Sequence, residues 1–289
     1  MSVYSHSKLQ TYENCPLAYR LRYIERIRVE KEGVEAFLGS RIHDALEVLY
    51  RDVGMGKFMS LPIILQIYES AWDATWHDKI KIVRKEYQAQ DYRLLGVKYI
   101  SDYYERYQPF DQGETVGLEH FCQIKLDGGK VSFRGYIDRL EMTGENECEI
   151  HDYKSSKSLP TQQHLDNDRQ LALYQIGVEQ MWPHLTKVHL VWHYLAFDRE
   201  FRSHRTRGQL RSLEDELIEE VTQIELATKA GKFEPKESRL CDWCDFHEYC
   251  PKRRHPALVG KPPSDERLAE GGVKPVKKAH VVDGFSRSK

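Results

Sequence analysis

Val131-Ser-Phe-Arg-Gly-Tyr-Ile-Asp138 and Glu149-Ile-His-Asp152-Tyr-Lys154 are two short apolar runs, each ending in charge, separated by the turn-forming residues Thr143-Gly-Glu-Asn-Glu147. Read as neighbouring strands of a hairpin, they bring Asp138 and Asp152 toward one point. Asp152 and Lys154 are two residues apart and share a face of their strand. Two carboxylates so placed repel each other unless a cation lies between them, and an adjacent ammonium completes the balance. Phosphodiester hydrolysis requires that chemistry: a nucleophilic water, neutralised phosphorane oxygens and a stabilised leaving alkoxide, which Mg²⁺ or Mn²⁺ can supply.

Working outward, Asp127-Gly-Gly129 between two alternating runs predicts a second hairpin, with strands over about 115–126, 131–140 and 148–153. A helix is expected over about 165–181, a strand over 188–195 and a long helix over 210–230. Toward the N-terminus, Ser5 or Ser7 caps a helix reaching about Tyr23 that kinks or restarts at Cys15-Pro16, and a second helix spans about 35–52 with His43 beside its apolar stripe. Strands followed by helix, strand and helix imply a mixed α/β core.

Residues 61–107 are helical in period, with Trp72, Trp76, Tyr99, Tyr103 and Tyr107 interleaved with lysines and arginines. They read either as a helical subdomain burying its aromatics or as the wall of a nucleic-acid channel. From about Pro256 onward, Pro, Gly and Lys dominate, and a flexible, solvated basic tail is expected over 256–289.

The 289 residues are enough for one elaborated domain, and 43 basic against 45 acidic side chains leave no bulk charge to attract nucleic acid. Any such surface must be local. The N-terminus lacks the apolar segment of a signal peptide and no run approaches a membrane span, so an intracellular location and no membrane partner are expected. In a reducing compartment the six cysteines are metal-ligand candidates. Cys241, Cys244 and Cys250 fall within ten residues. His247 or His255 would complete a zinc site, whereas Cys15 would complete four thiolates around an iron–sulfur cluster. Cys122 and Cys148 lie in strand patterns and read as core residues.

Four ordered motifs then carry a resemblance: Gly39-Ser-Arg-Ile-His43, Gly135-Tyr-Ile-Asp138-Arg, Asp152-Tyr-Lys154 and Gln170-Leu-Ala-Leu-Tyr174. Over about residues 4–255 the chain resembles the RecB-type branch of the PD-(D/E)XK nuclease superfamily. The resemblance implies a restriction-endonuclease-like mixed sheet flanked by helices, with a helical insertion over about 57–110. It implies metal binding by His43, Asp138, Asp152 and the Tyr153 carbonyl and catalysis by Lys154 with both aspartates, and Gln170 and Tyr174 match the family's QxxxY element. On their shared helix face those two, joined by Arg169, read either as substrate contacts or as a polar face with a buried tyrosine. Glu119 resembles an acidic position found in some members. Tyr12-Glu-Asn-Cys15-Pro and the terminal Cys241, Cys244, Cys250-Pro pattern resemble the family's iron–sulfur variant, found in AddB-type and CRISPR-associated nucleases. That implies a [4Fe–4S] cluster on Cys15, Cys241, Cys244 and Cys250, joining segments 12–19 and 241–251.

The implied activity is a DNA exonuclease acting on single strands or duplex ends, in repair, recombination, phage DNA metabolism or CRISPR adaptation. The competing expectation is a non-catalytic nucleic-acid-binding or partner-docking subunit. Without a phosphate-loop motif the chain carries no helicase motor of its own, so a helicase or CRISPR adaptation protein is the partner that the resemblance implies.

Overall fold

The computed structural model describes residues 3–29 and 32–253; the expected tail over 256–289 and the alternative zinc ligand His255 lie outside the described residues. The chain divides into two units, residues 1–246 and 247–289. In the second, the described part is a short 3-10 turn, His247–Tyr249, with the residues that follow it to 253.

The first unit opens with a two-residue strand β1 (Val3–Tyr4) and helix α1 (His6–Asn14), whose N-terminus is capped by the Ser5 hydroxyl accepting from the Lys8 N–H. Cys15 takes an extended conformation, and Pro16 starts the short helix α2 (Pro16–Tyr19), so the helix restarts as Cys15-Pro16 predicts. A wide turn over Arg20–Ile24 follows. Next come β2 (Glu32–Gly33), α3 (Val34–Gly54), α4 (Leu61–Thr75), β3 (Ile80–Lys81) and α5 (Ala89–Tyr107). The expected helical stretch 61–107 is therefore two helices with a short strand between them, β3, which pairs in parallel with β2.

The main sheet is built from β4 (Glu114–Leu126), β5 (Val131–Gly144), β6 (Glu147–Lys154), β7 (Lys187–Tyr194) and β8 (Arg199–Ser203), together with β1. Asp127, Gly128 and Gly129 all have positive φ and form the tight β4–β5 connection. Gly at two of the three positions makes that conformation inexpensive. β5 pairs antiparallel with β4 on one side; on the other it pairs with β1 near its start and with β6 near its end. β6 then runs parallel to β7, a pairing that requires a crossover, supplied by α6 (Gln162–Asp166) and α7 (Arg169–Met181). β8 closes the far edge antiparallel to β7, and α8 (Arg207–Ala230) returns over the sheet.

Three differences from the sequence expectations have physical causes. The helix expected over 165–181 is broken because Asp168 turns its carboxylate onto the N–H groups of Gln170 and Leu171, capping α7. β8 is five residues long and carries Arg199, Glu200 and Arg202, so it shows little apolar signal; its place is set by pairing with β7. β1 is too short to have a periodicity at all.

Two apolar clusters flank the sheet. One packs α1, α7 and α8 against Cys122, Ile124, Phe133, Ile137, Leu140, Cys148 and Ile150, and it buries Cys122 and Cys148 as their strand positions predict. The other packs α3, α4 and α5 together and includes Tyr153 and Leu195. Trp72, Tyr99 and Tyr103 are buried there, so much of the aromatic content of 61–107 forms core. Among the described residues, no helix is long and apolar enough to cross a membrane.

Candidate metal centre and active site

The β5–β6 ladder runs from Gly144 opposite Glu147 to Arg139 opposite His151 and stops. The next step would pair Asp138 with Asp152. Instead β6 stays with β7 as far as Lys154 opposite Tyr194, and the two antiparallel strands part. The released Tyr153 N–H donates to Asp138 Oδ2 at 2.8 Å, so a carboxylate stands where a backbone carbonyl would have been. The two aspartates thus lie at the mouth of a fork, Asp138 within β5 rather than at its end.

Burial and the charge of Asp152 lift the Asp138 carboxyl to about 7, and the charge of His43 and the Tyr153 N–H only partly offset them. His43 reaches this point from α3. Its Nε2 lies 2.9 Å from the Tyr153 carbonyl, and Nδ1 is 3.6 Å from Asp138 Oδ2 and 3.9 Å from Glu119 Oε1. The carbonyl can only accept, so Nε2 donates to it, and Nδ1 faces two carboxylates. Burial depresses the imidazole, but the Glu119 and Asp138 carboxylates and the Tyr153 carbonyl outweigh it and raise His43 to about 9. Glu119 sits across from Asp138, between the pairs His120–Ile137 and Leu118–Arg139, with φ of 43° in the middle of a strand. A non-glycine residue pays for that conformation, and clusters of such residues mark sites.

These donors fit a divalent cation. His43, Glu119 and Asp138 offer ligand atoms that all lie within 4.8 Å of one another. Asp152 is outside this triple because its carboxylate is held by Lys154 Nζ, 2.9 Å from Oδ1 and 2.8 Å from Oδ2. The Oδ2 contact lacks hydrogen-bond alignment, leaving a buried oxygen unsatisfied at the edge of the cluster. One nitrogen and several hard carboxylate oxygens suit Mn²⁺ or Mg²⁺.

Lys154 is clamped from the far side by Gln170, whose Oε1 lies 3.0 Å from Nζ while its amide donates to Asp152 Oδ1 at 3.3 Å. Burial pulls the ammonium down, but the Asp152 charge and hydrogen bond prevail and push it to about 12. Tyr174 lies one turn beyond Gln170 on the same face of α7, and burial raises its phenol to about 12. Gly135 permits this arrangement: a Cβ there would lie 2.4 Å from the Tyr174 ring. Arg169 is turned elsewhere, held by Glu13 at 2.6 and 2.8 Å and by Glu220 at 2.8 Å, and it ties α1 to α7 and α8. His6, which no sequence pattern singles out, sits in the field of Arg169 and Lys154; burial first, and those cations next, lower its pKa.

Behind the fork lies a second group, Glu141, Glu149 and His151, all buried. Its charges are already balanced. Arg139 pairs with Glu141, donates to His151 Nδ1 at 2.9 Å and to the Tyr153 hydroxyl at 3.0 Å, while Arg202 grips Glu149 with two bonds of 2.6 and 3.0 Å. Burial, followed by the Arg139 and Arg202 charges, holds His151 neutral.

Far along the chain, three thiols of the first unit come near one another. Cys15, Cys241 and Cys244 accept backbone N–H groups from Lys236, Ser238 and Phe246 at 3.5, 3.4 and 3.4 Å. The Cys244 thiol is raised by burial and, more weakly, by the charges of Cys15 and Cys241. Cys250 belongs to the second unit.

A solved structure from Eubacterium rectale named "Putative exonuclease" superposes with a TM-score of 0.51 over 92% of each chain at 15% identity, a likeness of fold. Another, named SSO0001, covers 86% of this chain and 94% of its own at 15% identity with a TM-score of 0.34, too low to carry an argument. No curated protein matches the sequence significantly. The model of one protein family, described as the PD-(D/E)XK nuclease superfamily, matches residues 3–251. A match over nearly the whole chain, on a mixed sheet that forks at two carboxylates beside a lysine, means that the protein belongs to the PD-(D/E)XK nuclease superfamily.

Proposed function

We propose that the protein is a metal-dependent deoxyribonuclease that works as an exonuclease on single strands or DNA ends. The observation that carries this reading is the meeting of His43, Glu119 and Asp138 within 4.8 Å, beside the Lys154–Asp152 pair. Bound there, Mg²⁺ or Mn²⁺ would polarise the scissile phosphate and lower the pKa of a water. His43, Asp138 and Asp152 are the ligands we assign, with Glu119 as a further carboxylate and the Tyr153 carbonyl, beside His43 Nε2, as a further oxygen donor.

Lys154 remains an ammonium at neutral pH, so it serves as a charge and hydrogen-bond donor to the developing phosphorane rather than as a base. Gln170 orients it, and Tyr174 supports Gln170. Arg169 is better read as a brace for α7, since three carboxylate contacts occupy it. The test is cleavage of end-labelled single-stranded DNA with Mn²⁺ or Mg²⁺. Loss of cleavage in EDTA is the expected result, and a wild-type protein that cuts nothing would end the assignment.

For the cysteines we propose a structural iron–sulfur cluster with Cys15, Cys241, Cys244 and Cys250 as ligands. What supports the reading is that three cysteine sulfurs, each accepting a backbone N–H, are gathered from segments more than two hundred residues apart. Anaerobic purification should give a brown protein with iron and sulfide. A colourless protein containing zinc would refute the cluster.

A further inference from the structure

On the side of the metal cluster toward the β4–β5 turn, the two strands keep one face open at Phe121, Gln123, Arg134 and Tyr136, while Ser132 at its far end is buried. Going away from Glu119 and Asp138, the facing pairs are Phe121 with Tyr136, Gln123 with Arg134 and Lys125 with Ser132. The alternate positions Cys122, Ile124, Phe133 and Ile137 are buried in the cluster that includes α7. Phe121 is 49% exposed and Tyr136 43%, their ring centroids 5.6 Å apart at 60°. Two large rings standing in solvent on a sheet face contribute nothing to a core. Successive facing pairs are about 6.7 Å apart along a strand, so the rings stand one such step from the carboxylates and Arg134 one step further.

Beyond Arg134 the charge is positive. Lys8 is lowered by burial and then by the charges of Arg134 and Arg26, so it lies in the field of both. Its Nζ donates to the Val3 carbonyl at 2.8 Å and sits over the Tyr4 and Tyr23 rings at 5.1 and 5.5 Å. Among the described residues none of the three cations has a carboxylate partner. Like charges gathered in this way make an anion site.

We propose that this face is a track for single-stranded DNA, in which unpaired bases stack on Phe121 and Tyr136 while Arg134, Lys8 and Arg26 hold the phosphates leading away from the cleft. Bases inside a duplex do not present their faces to such rings, so the track selects an unpaired strand. The proposal rests on the nuclease reading only for the direction in which the strand leads.

The test is fluorescence anisotropy with a labelled 20-nucleotide oligothymidine on the full-length protein in EDTA, so that binding is read without cleavage. Phe121→Ala and Tyr136→Ala should each weaken binding about tenfold, whereas binding of the same-length duplex should not change. Arg134→Glu should weaken the single strand further and flatten its salt dependence. Circular dichroism and melting temperature confirm that each variant is folded. An abasic oligonucleotide should bind wild type no better than oligothymidine binds the Phe121→Ala/Tyr136→Ala double variant. Unchanged single-strand binding in that double variant, or an equal loss on duplex, overturns the track. Failure of wild type to cleave any DNA with Mn²⁺ would sink the nuclease reading separately, without touching these binding results.

Discussion

Asp138 Oδ2 accepts the Tyr153 N–H at 2.8 Å, while His43 Nε2 lies 2.9 Å from the Tyr153 carbonyl. Both polar groups of one residue's backbone are thus committed to the candidate metal cluster. The fork between β5 and β6 exists because β6 follows β7, and the cluster exists because the fork leaves those groups without strand partners.

Removing the charge at the fork should abolish turnover without unfolding the chain. Asp152→Asn and Lys154→Ala are each expected to lower kcat on single-stranded DNA by about 10²–10³ or more. Melting temperature should fall for Lys154→Ala, which leaves the buried Asp152 carboxylate without its cation, and circular dichroism shows whether the variant is still folded. Wild-type cleavage by Lys154→Ala would remove the lysine from the mechanism.

Metal binding should release protons. Asp138 at about 7 and His43 at about 9 both lie above their unfolded values near ~4 and ~6.5, so the metal-free folded state holds protons that the unfolded state gives up. Their stabilisation is complete below the unfolded values and is lost as pH rises through 7 for Asp138 and through 9 for His43. A cation must displace the same protons, so Mn²⁺ affinity should climb from about pH 6 to about pH 9. Calorimetry in two buffers of different ionisation enthalpy measures this, and identical heats in both would contradict it.

Arg139→Leu should destabilise the fold by about 3–5 kcal/mol, because it leaves Glu141 buried without its cation. Urea unfolding is the measurement. A loss under 1 kcal/mol would mean that His151 or water compensates.

Gly135→Ala should cost about 1–3 kcal/mol and reduce cleavage, because a Cβ would meet the Tyr174 ring at 2.4 Å and shift the residue that supports Gln170. Gly177→Ala, where a Cβ would lie 2.2 Å from Cys122 Sγ, should be at least as destabilising. It lies beyond Tyr174 on α7, so its kcat should fall less than that of Gly135→Ala. Equal kcat losses in the two would argue against the Tyr174 support.

Much of the site was legible because its signals are local. Asp138 on its strand, Asp152 and Lys154 at strand spacing, and Gln170 and Tyr174 one helical turn apart all follow from chain geometry over a few residues, whereas the continuation of β5 through Asp138 to Gly144 does not. The Asp127-Gly-Gly129 turn and the Cys15-Pro16 restart were readable for the same reason. Arg169 reads as a substrate contact from its place beside Gln170, yet its partners Glu13 and Glu220 come from helices distant in the chain. His6 carried no signal, since a histidine in the first turn of a helix becomes notable only when Lys154 is folded beside it.

The sequence by itself determined the residue types, their order and the alternation that builds β4, β5 and β6, because propensity and periodicity act within a few residues. Tertiary structure alone decided the rest. Where β5 and β6 part is set by β7, more than thirty residues later, and the positive φ of Glu119 in β4 accompanies a carboxylate brought near a histidine of α3. The distance between His43 and Asp138 is a property of packing, in which a helix and a strand separated by two other helices are held against one sheet.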